Sequence, residues 1–486
     1  MKIYTTDRPN NRAEEGQKNI RKTKKNKQGR GILVCLAWLV LWQILSMAVG
    51  SELLLPGPYQ TLRALGNLVQ TPKFYPDTMW TLLRCAAAMG LSLLIGSAAA
   101  WCSYRKKAIR TFLSLPVSFF KSVPVMAVII YVILLAASDW VAVIVCFIMC
   151  FPIVYTNLLS GLDAVSAEYL ELAAVYELTK AQSLRLIYIP SVRANFNAAL
   201  RLTCGLSWKA VIAAEVLSIP HFSLGYEMLN AKYYLETANL FAYIAVIVIL
   251  SILFEKAVFR LFVKETESAG LHLKTGGKKR EPMPPPAIEL SGICKNFGDK
   301  SALDDAKLAL PAGSVTALSG PSGRGKTTLA RLILGLEQAD AGTITVESAK
   351  GEKAAEAEAA VLFQEDRLLP WLNVYDNMAL SRINDAGEEL DKEVRETAAA
   401  LELTGALNLM PSQLSGGMKH RAALGRMFLA EANLLILDEP FRGLDEELKN
   451  RIIERLWEKT TEGKTVLLIS HNAEDCNKLS ERIVSL

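Results

Sequence analysis

A short run of glycine, lysine and threonine residues is the strongest chemical signal in the sequence. It reads Gly320-Pro-Ser-Gly-Arg-Gly-Lys-Thr-Thr328 and stands between two apolar segments, 315–319 and 329–334. This fits G-x-x-x-x-G-K-[ST] between a strand and a helix, where glycines let backbone N–H groups approach phosphate oxygens. We expect Lys326 to reach the β- and γ-phosphates and Thr327 to hold Mg²⁺. The alternative is a glycine-rich turn without a ligand. The residues predicted to bind the nucleotide here are Gly320, Pro321, Ser322, Gly323, Arg324, Gly325, Lys326, Thr327 and Thr328.

An apolar segment that ends in two carboxylates is the second signal. The segment is Leu434-Leu-Ile-Leu-Asp438-Glu439-Pro440. In a nucleotide-binding domain the first acid completes the Mg²⁺ shell, and the second orients and deprotonates the attacking water. An acidic turn after a strand is the alternative. With a phosphate loop in the same domain, the pattern predicts Asp438 as a metal ligand and Glu439 as the catalytic base.

Serine and two glycines open a helical stretch twenty residues before that strand, in Leu414-Ser-Gly-Gly-Met418. Such a helix start is an anion site with little charge of its own. At this point the chain resembles the ATP-binding cassette (ABC) family, whose signature is Leu-Ser-Gly-Gly-Gln. Met418 stands in place of the glutamine.

The resemblance extends over about 200 residues and implies further roles. Gln364 matches the glutamine that links the Mg²⁺ of the nucleotide to the membrane domain, and His471 matches the switch histidine at the γ-phosphate. Asp445 matches the loop that crosses between two cassettes, and Phe297 stands where an aromatic ring stacks on adenine. The implied cofactors are ATP and Mg²⁺, with Glu439, His471, Gln364 and Lys326 as catalytic residues and Thr327, Gln364 and Asp438 as metal ligands. In this family two cassettes bind two ATP molecules head to tail, so Ser415, Gly416 and Gly417 would hold the ATP of a second copy. A dimer, most simply a homodimer, is implied.

Charge is concentrated at the start of the chain. Residues 1–30 carry ten Lys/Arg against three Asp/Glu, whereas the net charge of all 486 residues is +5. A nucleic-acid-binding arm is one interpretation. A basic run followed directly by an apolar stretch is more typical of a cytoplasmic membrane flank, and no nucleic acid is expected as a partner.

Long apolar stretches predict a membrane domain. The first, Gly31–Gly50, has no charge and can cross a hydrocarbon core as a retained span; a signal sequence is the alternative. Basic residues flank the stretches on one side, at 105–110 and 256–264, so we expect the N-terminus and the nucleotide site to be cytoplasmic in the cell membrane. The six predicted spans lie near Gly31–Gly50, Met79–Trp101, Val123–Ala137, Trp140–Ser160, Asn195–Ile219 and Leu240–Phe262.

The pattern changes after a proline-, glycine- and lysine-rich stretch. Residues 266–286 predict a linker, and beyond them short β-like runs alternate with helical periodicity. We therefore expect an all-α polytopic membrane domain with six transmembrane helices, residues 31–265, followed by an α/β P-loop NTPase domain, residues 287–486, with a largely parallel sheet. The predicted strand runs are Ser314–Leu318, Gly342–Val346, Ala359–Phe363, Leu434–Leu437 and Thr465–Ile469.

A segment between the fourth and fifth predicted spans resembles the E-A-A coupling motif of binding-protein-dependent importers. It runs from Glu168-Tyr-Leu-Glu171 to Ile187-Tyr-Ile-Pro190, and departs from the motif at Leu172, Glu177 and Ile189. The alternative is an amphipathic surface helix that ends at a proline. The resemblance implies that this segment docks near Gln364.

The membrane stretches, including Leu55-Pro-Gly-Pro58 and Thr81-Leu-Leu-Arg84, resemble permeases for nitrate, alkanesulfonates, taurine, bicarbonate and some thiamine-precursor pyrimidines. In that family permease and ATPase are usually separate chains. Lys209 and Glu215 are candidate pathway residues; structural pairing or a position at the cytoplasmic end of the span is the alternative. Arg84 is expected to extend its charge to the membrane interface.

These features predict an ATP-driven importer of a small solute, such as a sulfonate, taurine, nitrate or a thiamine-precursor pyrimidine. Its expected partners are membrane lipid and an extracytoplasmic substrate-binding protein. A half-size exporter and a membrane-anchored ATPase that relays force or a signal without transport are the alternatives. The sequence does not identify the solute.

Overall fold

The computed structural model describes residues 33–34, 36–262, 283–298, 300–321, 323–348, 357–383 and 388–486. The predicted basic arm, 1–30, most of the predicted linker, 266–286, and Ser322 lie outside these residues. The chain divides into two compact units. One consists of Met1–Asp163 with Ala194–Lys264, and the other of Ala164–Arg193 with Glu265–Leu486. Residues 164–193 therefore belong with the nucleotide-binding part of the chain, although they lie in sequence between membrane helices.

The described part of the first unit is helical. An apolar helix, Leu36–Val49, comes first and is short for a membrane span. The helices that follow are Pro58–Gln70, Phe74–Arg105, Lys107–Ser122, Val125–Leu135, Ser138–Asp163, Ile189–Ser218, Leu224–Tyr233 and Thr237–Phe262. The start of Ile189–Ser218, up to Arg193, belongs to the second unit.

Among the described residues, three helices are long and apolar enough to cross a membrane, namely Phe74–Arg105, Ser138–Asp163 and Thr237–Phe262. Lys107–Ser122 and Val125–Leu135 form a pair bent by 108°, which would make a fourth span if taken together. The prediction of six spans is therefore not confirmed. The helix over the predicted fifth span contains Arg201, Lys209 and Glu215, which lower its hydropathy.

Proline explains the bend between the paired helices. Pro124 has no N–H to donate to the preceding turn, and it forces Val123 out of the helical region, to ψ 130°. Close packing elsewhere depends on small residues. A Cβ at Gly96 would lie 2.8 Å from Val154 Cγ1, so the helices that carry these two residues can approach only because residue 96 is glycine.

A buried ion cluster corrects the prediction for Arg84. Instead of extending outward, the side chain is only 5% exposed, and its Nη1 donates to Glu215 Oε1 at 2.9 Å. Its Nη2 lies 3.2 Å from Asp139 Oδ1, and the guanidinium also donates to the carbonyls of His221 and Phe222. Glu215 is fully buried, so its charge requires a partner, and Arg84 on another helix supplies it. In this structure Glu215 therefore has the structural pairing role left open by the sequence.

The described residues of the second unit form two sheets. The strands are β1 (Pro286–Phe297), β2 (Lys300–Leu310), β3 (Val315–Ser319), β4 (Ala341–Ser348), β5 (Ala359–Leu362), β6 (Leu434–Asp438), β7 (Thr465–Ile469) and β8 (Arg482–Ser485). An antiparallel sheet has the order β2-β1-β4, and a five-stranded sheet has the order β5-β6-β7-β3-β8. All adjacent pairs in the larger sheet are parallel. The predicted parallel sheet is present, but the run at 342–346 belongs to the antiparallel one.

Helices cover the parallel sheet, whose strands β6 and β7 are buried along their whole length. Such strands read as continuous apolar runs, which is why sequence pattern locates them. The helices of this unit are Ala167–Val175, Lys180–Ser183, Lys326–Ile333, Val374–Ala379, Glu388–Ala400, Gly416–Phe428, Glu446–Ile452, Glu458–Thr461 and Ala473–Leu479, with π-helical turns at Leu184–Tyr188 and Ile453–Trp457 and 3₁₀ turns at Leu380–Arg382, Thr404–Ala406 and Pro411–Gln413.

Candidate nucleotide site and coupling segment

The predicted phosphate loop connects β3 to the helix Lys326–Ile333. Gly325 precedes this helix with φ +87°, and a Cβ there would lie 2.5 Å from the Ala302 carbonyl oxygen, so the position requires glycine. Lys326 is buried, and its Nζ donates to the carbonyls of Gly320 at 2.7 Å and Pro321 at 3.0 Å. The ammonium group is thus held inside the loop, beside the N-terminus of the helix.

A hydroxyl and a carboxylate lie together where the phosphate helix meets the end of β6. Thr327 Oγ1 donates to Asp438 Oδ2 at 2.9 Å. Burial raises the pKa of the Asp438 carboxyl above its usual value; the hydrogen bond from Thr327 opposes this shift, and repulsion from Glu439 adds to it. Hard oxygen donors of this kind suit Mg²⁺, and a bound cation would offset the cost of burying the carboxylate.

Gln364 lies at the same edge of the sheet. It follows β5, which pairs in parallel with β6 so that Leu362 is opposite Leu437, and its side chain is exposed. No group of three or more His, Cys, Asp or Glu residues that could hold a metal occurs within the described ranges. Thr327 and Asp438 are oxygen donors of a kind that fits Mg²⁺, with Gln364 as the third predicted ligand, and phosphate oxygens would have to supply further ligands.

The predicted base and switch histidine are in contact. Glu439 follows β6 and His471 follows the neighbouring strand β7, and His471 Nε2 lies 3.2 Å from Glu439 Oε1. The Glu439 backbone has φ +53°, which is unfavourable for a residue with a Cβ, and its N–H donates to the Ile469 carbonyl at 2.9 Å. Such strained conformations occur preferentially at functional sites.

The other predicted site residues lie at the starts of two helices and at the end of a strand. Ser415 caps the helix Gly416–Phe428 by accepting from the Met418 N–H at 3.3 Å, and Gly416 and Gly417 are exposed at that helix start. Asp445 caps the helix Glu446–Ile452 through a 2.8 Å bond from the Leu448 N–H. The ring of Phe297, at the end of β1, is half exposed.

Comparison with known proteins identifies both parts of the chain. A model of the ABC transporter family matches residues 303–442, and one of the "binding-protein-dependent transport system inner membrane component" matches residues 92–265. The aliphatic sulfonates import ATP-binding protein SsuB 2 of Streptomyces avermitilis is 38% identical over 204 residues, which cover 41% of this chain and 77% of that protein. The chain belongs to the ABC transporter family.

A second relative gives a similar match. The protein of the same name from Pseudomonas aeruginosa is 37% identical over 200 residues, 40% of this chain and 70% of that protein. A solved dimeric bacterial ABC transporter cassette aligns at 27% identity with a TM-score of 0.37, over 41% of this chain and 94% of that one. The protein is an importer-type fusion of an ABC permease and an ABC ATPase, and its ATP hydrolysis is coupled to transport.

Residues 164–193 of this ABC transporter, which we call the coupling segment, pack against the cassette. Glu171 accepts from Arg331 Nη1 at 2.9 Å and Nη2 at 2.7 Å, and from Arg367 Nη1 at 2.7 Å. Arg331 lies on the helix that follows the phosphate loop, and Arg367 is three residues after Gln364. The hydrogen bonds from Arg331 lower the pKa of the Glu171 carboxyl despite partial burial, and Arg367 adds to this effect.

Apolar and aromatic contacts surround that ion cluster. Trp371 Nε1 donates to the Leu186 carbonyl at 2.7 Å, and the Trp371 ring meets Tyr169 edge-on at a centroid distance of 5.5 Å. Leu172 and Ile187 are fully buried in the core that also contains residues of β1 and β5. The coupling segment is therefore an integral part of the cassette unit.

The sequence did not predict four side chains that connect the coupling segment, the Gln364 loop and the helix Gly416–Phe428. Two of them are Arg331 and Arg367. The third, Arg426, donates from Nη1 to the Arg367 carbonyl and from Nη2 to the Asp366 carbonyl, both at 3.0 Å. His420, also buried, contacts Asp366 and Pro440. One sequence signal pointed to these contacts. His420 and Arg426 lie on the otherwise apolar, buried face of the helix Gly416–Phe428, and buried polar side chains require hydrogen-bond partners.

Proposed function

We propose that the chain is an ATP-driven importer of a small solute, which works as a homodimer and receives the solute from an extracytoplasmic binding protein. The observation that carries the proposal is the docking of the coupling segment on the cassette through Glu171, Arg331 and Arg367. The match to an inner membrane component of binding-protein-dependent systems favours import over export. A membrane-anchored ATPase without transport would have no need of such a permease.

The proposed solute is a small organic or inorganic anion such as a sulfonate, taurine or nitrate, with a thiamine-precursor pyrimidine as the second candidate. The relatives named for aliphatic sulfonate import support the first of these. We further propose six membrane-crossing segments, 31–265, between a cytoplasmic N-terminus and a cytoplasmic cassette at 287–486. The basic residues at 105–110 and 256–264 support this orientation.

In the proposed hydrolysis, the phosphate loop and Lys326 bind and orient the β- and γ-phosphates. Thr327, Gln364 and Asp438 would hold Mg²⁺, which neutralises phosphate charge when it is bound. Glu439 orients the attacking water and accepts its proton, while His471, 3.2 Å from that carboxylate, contacts the γ-phosphate. Ser415, Gly416 and Gly417 of a second copy complete each site, with Asp445 at the crossing between copies and Phe297 on the adenine.

One variant tests the assignment of the base. Glu439→Gln keeps the size and the hydrogen-bonding capacity of the side chain but removes its basicity, so we expect unchanged ATP binding and a turnover at least about 100-fold lower. Glu454→Gln, the same change at an exposed helical position, is the matched control. Binding is measured with a fluorescent ATP analogue and turnover by phosphate release. Wild-type turnover in Glu439→Gln would refute the assignment.

Import is tested with the purified protein in liposomes. Binding proteins for sulfonates, taurine, nitrate and pyrimidines are added one at a time with their ligands. We expect one of them to stimulate ATP hydrolysis and to drive accumulation of its ligand on the cassette side of the membrane, opposite to the side where the binding protein was added. An ATPase rate that is indifferent to every binding protein would argue against import.

A further inference from the structure

His420 bridges two segments of the cassette that carry proposed catalytic residues. It lies on the helix Gly416–Phe428 and is only 4% exposed. Its Nδ1 is 3.1 Å from Asp366 Oδ1, and its Nε2 is 3.0 Å from the Pro440 carbonyl oxygen. Asp366 is two residues after Gln364, and Pro440 directly follows Glu439. One side chain thus contacts both the Gln364 loop and the Glu439 turn.

The chemistry of the two partners defines what the ring must do. A backbone carbonyl oxygen only accepts hydrogen bonds, and an ionised carboxylate likewise only accepts. At Nε2 the ring is therefore the donor to the Pro440 carbonyl, and at Nδ1 it lies within hydrogen-bonding distance of the Asp366 carboxylate.

The Glu439 turn is held by two backbone hydrogen bonds, from Glu439 N–H to the Ile469 carbonyl and from Arg442 N–H to the Glu439 carbonyl, and by a contact with His420. Its residue 439 has φ +53°, a conformation that needs support from the surroundings. Pro440 has no N–H, so its buried carbonyl is its only backbone hydrogen-bonding group, and His420 is the donor that satisfies it. On the other side, Arg426 fixes the carbonyls of Asp366 and Arg367 to the same helix. The helix Gly416–Phe428 thus contacts the Gln364 loop through both Arg426 and His420. It contacts the Glu439 turn through His420.

We propose that His420 is a positioning residue for ATP hydrolysis. Through its contacts with Asp366 and Pro440 it sets the separation between the Gln364 loop and the Glu439 turn, so that the metal-binding amide and the base face the same γ-phosphate. This inference rests on the proposed roles of Gln364 and Glu439. It predicts an effect on the chemical step rather than on nucleotide binding, because the phosphate loop between β3 and its helix has its own hydrogen bonds.

The test compares substitutions that differ in donors. His420→Phe keeps a ring but donates to neither partner, and His420→Gln supplies two N–H donors from one nitrogen. Since misplacement of reacting groups by about 1 Å costs on the order of 100-fold in rate, we expect His420→Phe to lower kcat by about 10- to 100-fold with KM for ATP unchanged. His420→Gln should recover most of the lost rate. Arg421→Ala is the control, because it removes hydrogen bonds to Leu401 and Glu402 from the next position of the same helix.

Steady-state ATP hydrolysis by the full chain in nanodiscs gives kcat and KM, and thermal unfolding gives the stability of each variant. A lower kcat at constant KM for His420→Phe, rescue by His420→Gln and a normal kcat for Arg421→Ala support the proposal. An unchanged kcat in His420→Phe, a parallel rise in KM, or failure of His420→Gln to recover any rate overturns it. If His420→Phe does not fold, Asp366→Ala, which removes one acceptor but leaves the ring in place, must lower kcat at constant KM; an unchanged kcat overturns the proposal.

Wild-type and Glu439→Gln proteins in the same assay separate this inference from the proposed function. Loss of turnover in Glu439→Gln with normal turnover in His420→Phe would reject the positioning role alone. Normal turnover in Glu439→Gln would instead reject the assignment of the base on which the inference rests.

Discussion

Replacement of Glu171 by glutamine should loosen the coupling segment from the cassette. Glu171 makes three charge-assisted hydrogen bonds of 2.7–2.9 Å with two guanidinium groups. Its side chain is 20% exposed, and that of Arg367 only 6%. The glutamine loses the charge, and the nearly buried Arg367 loses the nearer of its two described carboxylate partners, since Glu365 Oε2 lies 3.6 Å from its Nη2.

The size of the effect follows from these contacts. Hydrogen bonds to charged groups contribute about 1.5–3 kcal/mol each, but the three bonds share one carboxylate and are partly screened by solvent. We therefore expect a total loss of about 2–3 kcal/mol in docking free energy rather than the sum. This corresponds to about a 30- to 150-fold change in the docking equilibrium.

Hydrogen exchange followed by mass spectrometry measures this change directly in the full chain. Protection of the helix Ala167–Val175 in Glu171→Gln should fall by up to that factor, because local opening becomes easier. Glu168→Gln, the same substitution at an exposed position in the first turn of that helix, is the control and should lower protection by no more than about 5-fold. Equal exchange in the two variants would refute the reasoning, since the ion cluster would then contribute nothing to docking.

Three further predictions concern acid pH, the membrane unit and the phosphate loop. Because Arg331 lowers the pKa of Glu171, the contribution of this group to docking is fully present above the usual glutamate value of 4.5 and is lost as pH falls through the lowered value. Protection of Ala167–Val175, corrected for intrinsic exchange, should show this acid loss in wild type and not in Glu171→Gln. Arg84→Leu leaves Glu215 buried without its guanidinium partner and should lower the free energy of unfolding by about 3 kcal/mol. The double variant Arg84→Leu/Glu215→Leu should regain most of that loss in thermal unfolding. A double variant no more stable than the single one would contradict this. Gly325→Ala should lower the free energy of unfolding by more than about 1 kcal/mol, because the backbone has φ +87° and the new Cβ would clash with the Ala302 carbonyl. The same change should abolish binding of a fluorescent ATP analogue. Binding equal to that of the wild type would contradict this prediction.

The cassette was predictable from sequence because its chemistry is local. The phosphate loop and the acidic end of β6 are contiguous motifs, and five of the eight strands in the described part of the chain coincide with predicted apolar runs. The strands β1, β2 and β8 were missed: β1 and β2 have mixed burial, and β8 is short and largely exposed at the edge of its sheet. Pattern alone also cannot assign a run such as β4 to the antiparallel sheet, since that depends on pairing with distant residues.

Side-chain partners were not predictable where they come from distant segments. Arg84 was expected at the membrane interface, but Glu215, 131 residues away, pairs with it inside the unit. Glu171 belongs to a recognised motif, yet nothing local indicates Arg331 or Arg367 as its partners. No motif spacing in the sequence singles out His420. Its partners Asp366 and Pro440 lie 54 and 20 residues away in the chain, and only the fold brings them into contact with it.

Docking of the coupling segment has a consequence for how such a transporter is assembled. Segment and cassette belong to one polypeptide, so each meets the other at an effective concentration on the order of millimolar. A contact of only micromolar affinity would therefore remain formed, without recruitment of a separate ATPase from the cell. The ratio of one cassette per permease is set at translation, and cassettes of other transporters would need millimolar concentrations to exchange with it.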